Sequence, residues 1–244
     1  MPTAQPVGEP VEEVAARAPA RRVLEGRFVR LEPVDPAVHA DGLWRAAHDG
    51  SADAPRVWTY LPYGPFADVL AMRSWIASVA PSDDPLFLAV VTDRGPVGMT
   101  SFLNADAAMR RVELGHIWYG PAAQRTEANT ESVSLMLAEA FDALGSRRVE
   151  WKCDALNDRS RAAALRLGFT YEGVFRQHMI VKGRNRDTAW YSMLDREWPA
   201  ARDAFARWLD ADPRERPPLA SLRAAGGRGS DQRGVSSDGA NPGP

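Results

Sequence analysis

The sequence predicts an α/β (α+β) fold, a single domain whose mixed central sheet of about seven strands is flanked by helices. Three observations carry that prediction. Strand-like and helix-like segments follow the order β-α-α-β-β-β-α-β-α-β-β. Hairpin signals sit in the middle and at the end of this order, with two β-α units between them. The chain is 45% hydrophobic and 25% charged, the balance of a globular protein with a substantial core.

Residues 23–31 (VLEGRFVRL) read as the first strand. Residues 36–48 have helical spacing, with Asp35 as the cap. Residues 68–79 form a second helix with Met72, Trp75, Ile76 and Val79 on one stripe. The apolar run 86–92 is the second strand; it turns at Arg94-Gly95 and returns over 97–103. Residues 111–119 (RVELGHIWY) make a fourth strand. Residues 129–144 form a strong amphipathic helix with Val133, Met136, Leu137, Ala140 and Phe141 inward and Gly145 at its C-cap. A fifth strand over 149–154 precedes a helix over 160–167 that stops at Gly168. Strands over 170–181 and 188–195, joined by a polar turn, lead to a last helix at 198–209.

Residues 1–22 are rich in Pro, Ala and charge and read as a flexible N-terminal arm, in which 11–17 have the composition for a short helix. Residues 211–244 are rich in Gly, Pro, Ser and charge and are expected to be a disordered tail, because they bury too little to offset ordering entropy. The folded unit is therefore expected over 23–210.

Thirty basic against 32 acidic residues give a formal net charge of −2, which argues against a dedicated nucleic-acid binder. No run approaches the roughly 18 apolar residues that span a bilayer, and the N-terminus lacks the basic-then-apolar pattern of a secretory signal. The one cysteine, Cys153, excludes an internal disulfide and a multi-cysteine zinc site. A reducing, cytoplasmic setting is the default expectation. The histidines His39, His48, His116 and His178 show no metal-ligand spacing, so no metal is expected. Lys152 and Lys182 are the only lysines among the 30 basic residues, a bias that reads as GC-rich coding.

Two strand-to-helix junctions have the form of ligand sites. The first, 119–131 (YGPAAQRTEANTE), ends at a helix start whose unpartnered N–H groups favour an anion, with Arg125 nearby. Local capping by Asn129 or Thr130 is the competing account. The second, 157–161 (NDRSR), opens the next helix, with Asn157 or Asp158 as its cap. Both follow adjacent strands at their C-terminal ends, where open α/β sheets bind ligands.

Leu156-Asn157-Asp-Arg-Ser160, followed by Leu167-Gly168-Phe169 and Glu172-Gly173, resembles the N-x-x-S…LGF…EG signature of the GCN5-related N-acetyltransferases (GNAT). Glu25-Gly-Arg-Phe-Val-Arg-Leu31, Glu113-Leu-Gly115 and Glu197-Trp-Pro199 extend the match over 23–210, so a single GNAT-like domain is expected. The nearest branch is the RimJ/RimL-like one, which contains the ribosomal-protein N-terminal acetyltransferases. A narrower subgroup is similar through 60–66 (YLPYGPF), 149–153 (VEWKC), 175–178 (FRQH) and 182–188 (KGRNRDT). One departure stands out. The pyrophosphate loop of the family reads Q/R-x-x-G-x-G/A; Gln124 is kept, but Glu127 and Asn129 replace the two small residues. Glycine there lets phosphate approach the backbone, and Glu127 repels phosphate unless its side chain points away.

The resemblance implies acetyl-CoA or another acyl-CoA as co-substrate, lying in a splay between the fourth and fifth strands. Main-chain groups of Ile117, Trp118 and Tyr119 would pair with the pantetheine arm. Gln124, Arg125, Thr126, Ala128, Asn129 and Thr130 would surround the phosphates, and Asn157 would bond near the arm. A primary amine would attack the thioester directly. Glu113 is the candidate base, with His116 as the alternative of suitable ordinary pKa. An ideal strand turns these two to opposite sides, making them rivals unless a bulge intervenes; a salt-bridged structural carboxylate and a packed strand histidine are the competing accounts. Ser160 stands where this branch places the hydroxyl that assists the departing thiolate, and Ala163 occupies the position at which other members carry Tyr. Helix capping is the alternative for Ser160. Trp58, Tyr60, Tyr63 and Phe66 are expected at the acceptor wall, or as a hydrophobic lid, with Trp151, Arg176 and His178 lining the other side. Exposed aromatics are compatible with a homodimer. A non-catalytic acyl-CoA-binding or sensing protein is the second reading.

Overall fold

The computed structural model describes residues 5–227. Its strands are β1 (Leu24–Glu25), β2 (Arg30–Pro33), β3 (Leu86–Thr92), β4 (Gly95–Asp106), β5 (Arg111–Tyr119), β6 (Arg148–Asp154), β7 (Thr170–Val181) and β8 (Arg184–Leu194). Its helices are α1 (Pro36–Ala47), α2 (Val69–Val79), α3 (Glu127–Ala138), α4 (Asp158–Leu167), α5 (Trp198–Asp210) and α6 (Leu219–Gly227). The strands form one sheet in the order β1-β2-β3-β4-β5-β6-β8-β7, antiparallel except between β5 and β6.

The sheet has eight strands because the expected first strand breaks in two. Buried Glu131, in the first turns of α3, accepts from the amides of Arg27, Phe28 and Val29 at 2.8, 2.6 and 2.8 Å and pulls the chain into a turn. A Cβ on Gly26 would lie 2.7 Å from that carboxyl group, so the side chain missing at this position makes room for the clamp.

The continuous apolar run of β3 is explained by burial on both faces. Leu86, Leu88 and Val90 join the core under α3, α4 and α5 with Val112, Leu114, Trp151, Met136 and Phe205. Phe87, Ala89 and Val91 join a second core under α1 and α2 with Leu43, Met72, Ile76 and Trp118. The helix ends follow their capping residues. Asp35 accepts from Ala37 and Val38 N–H, Asp68 accepts from Ala71 N–H, and Gly145 (φ 75°) and Gly168 (φ 105°) take left-handed backbone where helices end. All five inward positions expected for the long helix are buried.

Several element bounds differ from those read in the sequence: the long helix is α-helical over Glu127–Ala138 and continues as a π turn over Glu139–Ala143, β8 starts at Arg184, and both edges of the folded unit shift. Residues 5–22 contain no helix, and 16–22 lie along the domain: Ala16 N–H donates to Ala107 at 3.0 Å, Arg17 N–H to Leu144 at 2.8 Å, and Arg22 pairs with buried Glu139. At the other end, order continues past residue 210. Helix α6 packs on α5 through Leu219, which is 2% exposed, and Arg223 donates to the Arg166 carbonyl at 2.7 Å. Composition misplaced this edge because one leucine and one arginine anchor an otherwise small-residue segment. The rest of the expected tail, 228–244, and residues 1–4 lie outside the described residues. Among the described residues no helix is long and apolar enough to cross a membrane, and no three His, Cys, Asp or Glu residues group as a metal site.

Candidate active site

Strands β5 and β6 pair only as far as Leu114 and Trp151. Beyond that pair β5 follows β4 and β6 follows β8, and the sheet opens between them. This is the splay expected between the fourth and fifth strands of the sequence reading.

A bulge forms on β5 where the sheet opens. Ser101 faces Gly115 and Met99 faces Trp118, so His116 and Ile117 together oppose one residue of β4. His116 absorbs the extra residue with φ 53°, a left-handed conformation that costs a non-glycine residue about 1–3 kcal/mol. The phase shift brings Glu113 and His116 to the same face, the one covered in part by α1 and α2. The two are therefore neighbours rather than opposed.

Glu113 is 2% exposed. Its Oε2 receives Lys152 Nζ at 2.9 Å and Asn104 Nδ2 at 2.8 Å. Burial raises its pKa above the ordinary carboxylate value, an effect partly offset by the Lys152 ammonium and the Asn104 amide. The His116 ring lies between Phe87 (4.8 Å) and Tyr63 (5.6 Å). Its burial, with the charges of Lys152 and Arg186, pushes its pKa down to about 4. Burial thus moves the two groups in opposite directions, toward the carboxylate and away from the imidazole as the proton acceptor.

Ser160 occupies the other face. Its Oγ accepts from the Trp151 indole at 3.0 Å, and its N–H donates to Asn157 Oδ1 at 3.1 Å, which caps α4. Cys153 lies beside this hydroxyl with its thiol pKa raised by burial. Glu113 and Ser160 therefore flank the splay from opposite faces of the sheet.

At the first junction, Thr126 caps α3 by accepting from Ala128 N–H at 3.3 Å and donating to the Ala123 carbonyl at 2.7 Å. Arg125 precedes it with φ 63° and an exposed side chain. Gln124 donates to the Tyr119 carbonyl at 3.0 Å, which occupies one main-chain group expected to face the pantetheine arm. Asn129 and Thr130 accept from Arg166 at 2.9 and 3.1 Å. Thr130 and Ala128 are buried, so their contribution to a ligand site is through the backbone. Trp118 turns toward α1 and α2, Tyr119 turns toward α3 and bonds Ser132, and Ile117 is half-buried between them.

The expected acceptor residues separate into three groups. Trp58 is buried and Tyr63 half-buried, in an aromatic cluster with Phe66, Trp75 and Trp118 that fills the space between α1, α2 and the sheet. Tyr60 reaches across the opening, its hydroxyl donating to the Leu156 carbonyl at 3.0 Å. Arg176 and His178 border an open groove of about 840 Å³ with Phe175, Gln177, Asn185 and Asp187. His178 bonds Thr188 at 3.0 Å. Trp151 is not beside them: strand alternation sends it to the Ser160 face, where it packs on Phe169 at 5.6 Å.

Lys152, Asn104 and Trp190 were not singled out by sequence. Lys152 Nζ lies over the Trp190 ring at 5.3 Å as well as on Glu113, and Lys182 Nζ donates to the Trp58 carbonyl at 2.9 Å. The signal was present: in a chain that otherwise uses arginine, both lysines contact this region.

Main-chain edges freed at the splay, the amide-rich start of α3 and exposed Arg125 form a cradle that suits an acyl-CoA. Comparisons with known proteins identify the family. The model of the acetyltransferase (GNAT) domain matches residues 29–170, more than half of the chain. The crystal structure of a GCN5-related N-acetyltransferase from Brucella melitensis is 41% identical, with a TM-score of 0.82 over 86% of this chain and 98% of that one. Among proteins of Bacillus subtilis strain 168, the one named "Putative ribosomal N-acetyltransferase YdaF" is 34% identical over 101 residues, 41% of this chain. The match spans 55% of that relative's length. An acetyltransferase that confers microcin C7 self immunity, solved with acetyl-CoA and AMP, shares the fold at 23% identity and a TM-score of 0.59 over 69% of this chain and 93% of that one. The chain belongs to the GNAT acetyltransferase family.

Proposed function

We propose that this protein transfers an acetyl or other small acyl group from acyl-CoA to a primary amine, by direct attack and without a covalent enzyme intermediate. The observation that carries the reading is the splay beyond Leu114 and Trp151, flanked by Glu113 on one face and Ser160 on the other. A thioester threaded through that opening would meet a base on the acceptor side and a hydroxyl on the donor side.

The residues then divide the work. Backbone groups of Ile117–Tyr119 and of α3 from Thr126 to Thr130, with Arg125 and Asn157, hold the donor. Glu113 takes the proton from the attacking amine through Oε1, the oxygen not engaged by Lys152 or Asn104. The amine nitrogen bonds to the thioester carbonyl carbon and the C–S bond breaks. Ser160 donates a hydrogen bond to the leaving sulfur while its Oγ accepts from the Trp151 indole, which fixes the hydroxyl in place. His116, held near pKa 4, stays neutral at pH 7 and shapes the wall.

The acceptor is best read as the α-amine of a peptide or protein N-terminus. An α-amine of pKa near 8 costs only about 1 kcal/mol to deprotonate at pH 7, against about 4–5 kcal/mol for a lysine-like amine. One buried carboxylate suits the smaller demand. The open groove beside Phe175, Arg176 and His178 has room for an extended chain, and the ribosomal branch resemblance points the same way. A small-molecule amine is the alternative acceptor. Free-thiol release from acetyl-CoA, measured with a panel of peptides and small amines, tests this. Turnover with an α-amine peptide, reduced in Glu113→Gln and Ser160→Ala while acetyl-CoA still binds, supports the assignment. Binding without transfer to any amine favours the non-catalytic acyl-CoA sensor.

A further inference from the structure

We propose that Arg216, beyond the matched GNAT domain, is a positioning residue for the donor site: it holds the Glu127 carboxylate away from the phosphates. The inference rests on the acyl-CoA reading above. Glu127 is the first residue of α3 and stands where the family pattern has a small residue. An unpaired carboxylate there would favour the helix-start amides and compete with a diphosphate for them. Its carboxylate is shared between Arg216 Nη1 and its own main-chain amide, so the arginine draws charge from the first amide and leaves the later ones free. That contact also holds the Glu127 pKa below the ordinary value.

Arg216 is itself fixed. Its side chain is 10% exposed, its guanidinium stacks on Trp208 at 4.4 Å, and its Nε donates to the Ala211 carbonyl at 3.2 Å. The segment is anchored on its far side by α6, through buried Leu219 and the bond from Arg223 to Arg166. Arg166 in turn holds Asn129, the second departure from the loop pattern. Both departures are thus matched by an arginine from elsewhere in the chain, and the C-terminal segment braces both.

Calorimetric titration of the full chain with acetyl-CoA tests the proposal. Arg216→Ala should raise Kd about tenfold at low salt, and the loss should shrink as salt screens the freed charge. Adding Glu127→Gln to Arg216→Ala should return Kd to within about twofold of the parent. A loss that Glu127→Gln does not rescue would overturn the positioning role and make Arg216 a direct phosphate contact. An unchanged Kd in Arg216→Ala would leave Arg216 no role. Should Arg216→Ala fail to fold, Glu127→Gln alone decides: binding no weaker than the parent supports the proposal, and a tenfold loss overturns it. Absence of acetyl-CoA binding in the parent would instead remove the donor reading on which the proposal stands.

Discussion

In the proposed function, the two faces of the sheet at the splay solve different problems, one holding the donor and one the acceptor. The donor face is built from backbone: strand edges freed by the opening, the start of α3, and side chains that neutralise or cap. Its polar groups are already satisfied by Arg166, Arg216, Asn157 and Thr126. The acceptor face is built from buried side chains whose charges are unusual for their depth, with Glu113 and Lys152 paired below an aromatic cluster. A backbone cradle tolerates changes of side chain, which is how Glu127 and Asn129 can replace small residues. A buried ion pair does not, because removing one partner strands the other. Substitutions should therefore hurt most on the acceptor face.

The largest effect is expected at Glu113. Glu113→Gln keeps the shape and one carbonyl oxygen but removes the base and leaves Lys152 without its counter-charge; it should lower kcat by about 10²–10⁴ and lower stability, with acetyl-CoA affinity unchanged. A loss confined to KM would break the contrast between the faces. Because burial raises the Glu113 pKa, parent activity should fall with acidification at a pH above the ordinary carboxylate range, as the base gains its proton.

His116 gives the next effect, on stability. Its folded pKa of about 4 lies below the ordinary value of 6.5, so the unfolded chain binds the extra proton. Its contribution to stability is present above about pH 6.5 and is lost as pH falls toward 4, by about 3 kcal/mol in all. Denaturation curves of His116→Phe, which fills the same aromatic slot, should show a flatter acid limb than the parent. Equal limbs would mean that the ring is solvated and the wall looser than its contacts with Phe87 and Tyr63 imply.

Ser160→Ala should come third, with kcat down by about 10–100-fold, the worth of one hydrogen bond to a charged leaving group. The Trp151 indole then loses its acceptor, so a fall in stability of about 1 kcal/mol should accompany it. Stability loss without a kinetic effect would leave Ser160 as a cap and a packing partner only.

Most of the fold was legible in the sequence because periodicity and punctuation agree: Asp35 and Asp68 cap, Gly145 and Gly168 end helices, and the apolar stripes face the cores, with Met72 and Ile76 buried and Trp75 and Val79 partly so. The site was legible in its positions but not in its sides. Alternation on an ideal strand opposes Glu113 to His116, and only the bulge, whose one local sign is Gly115 inside the strand, brings them to one face. Trp151 went the reverse way: it was expected beside Arg176 and His178, and ordinary alternation places it on the Ser160 face. Lys152 and Arg216 act through contacts between segments far apart in the chain, for which lysine rarity was the one sign and only at Lys152; Asn104 reaches Glu113 across the β4–β5 hairpin, a pairing that depends on register.

The smallest effect sharpens the account of the donor face. Thr126 caps α3 with a single side-chain oxygen, so Thr126→Ala should cost about 1 kcal/mol of stability. The start of α3 is also fastened by Glu131 to residues 27–29 and by Arg166 to Asn129, contacts that do not involve Thr126. The helix-start amides should keep their direction, and acetyl-CoA Kd should change by less than about threefold, under 1 kcal/mol. Thermal melts and titrations on the same variant separate the two quantities. A large loss of affinity with little loss of stability would show that the threonine hydroxyl itself contacts the donor, and the cradle would then depend on side chains as the acceptor face does.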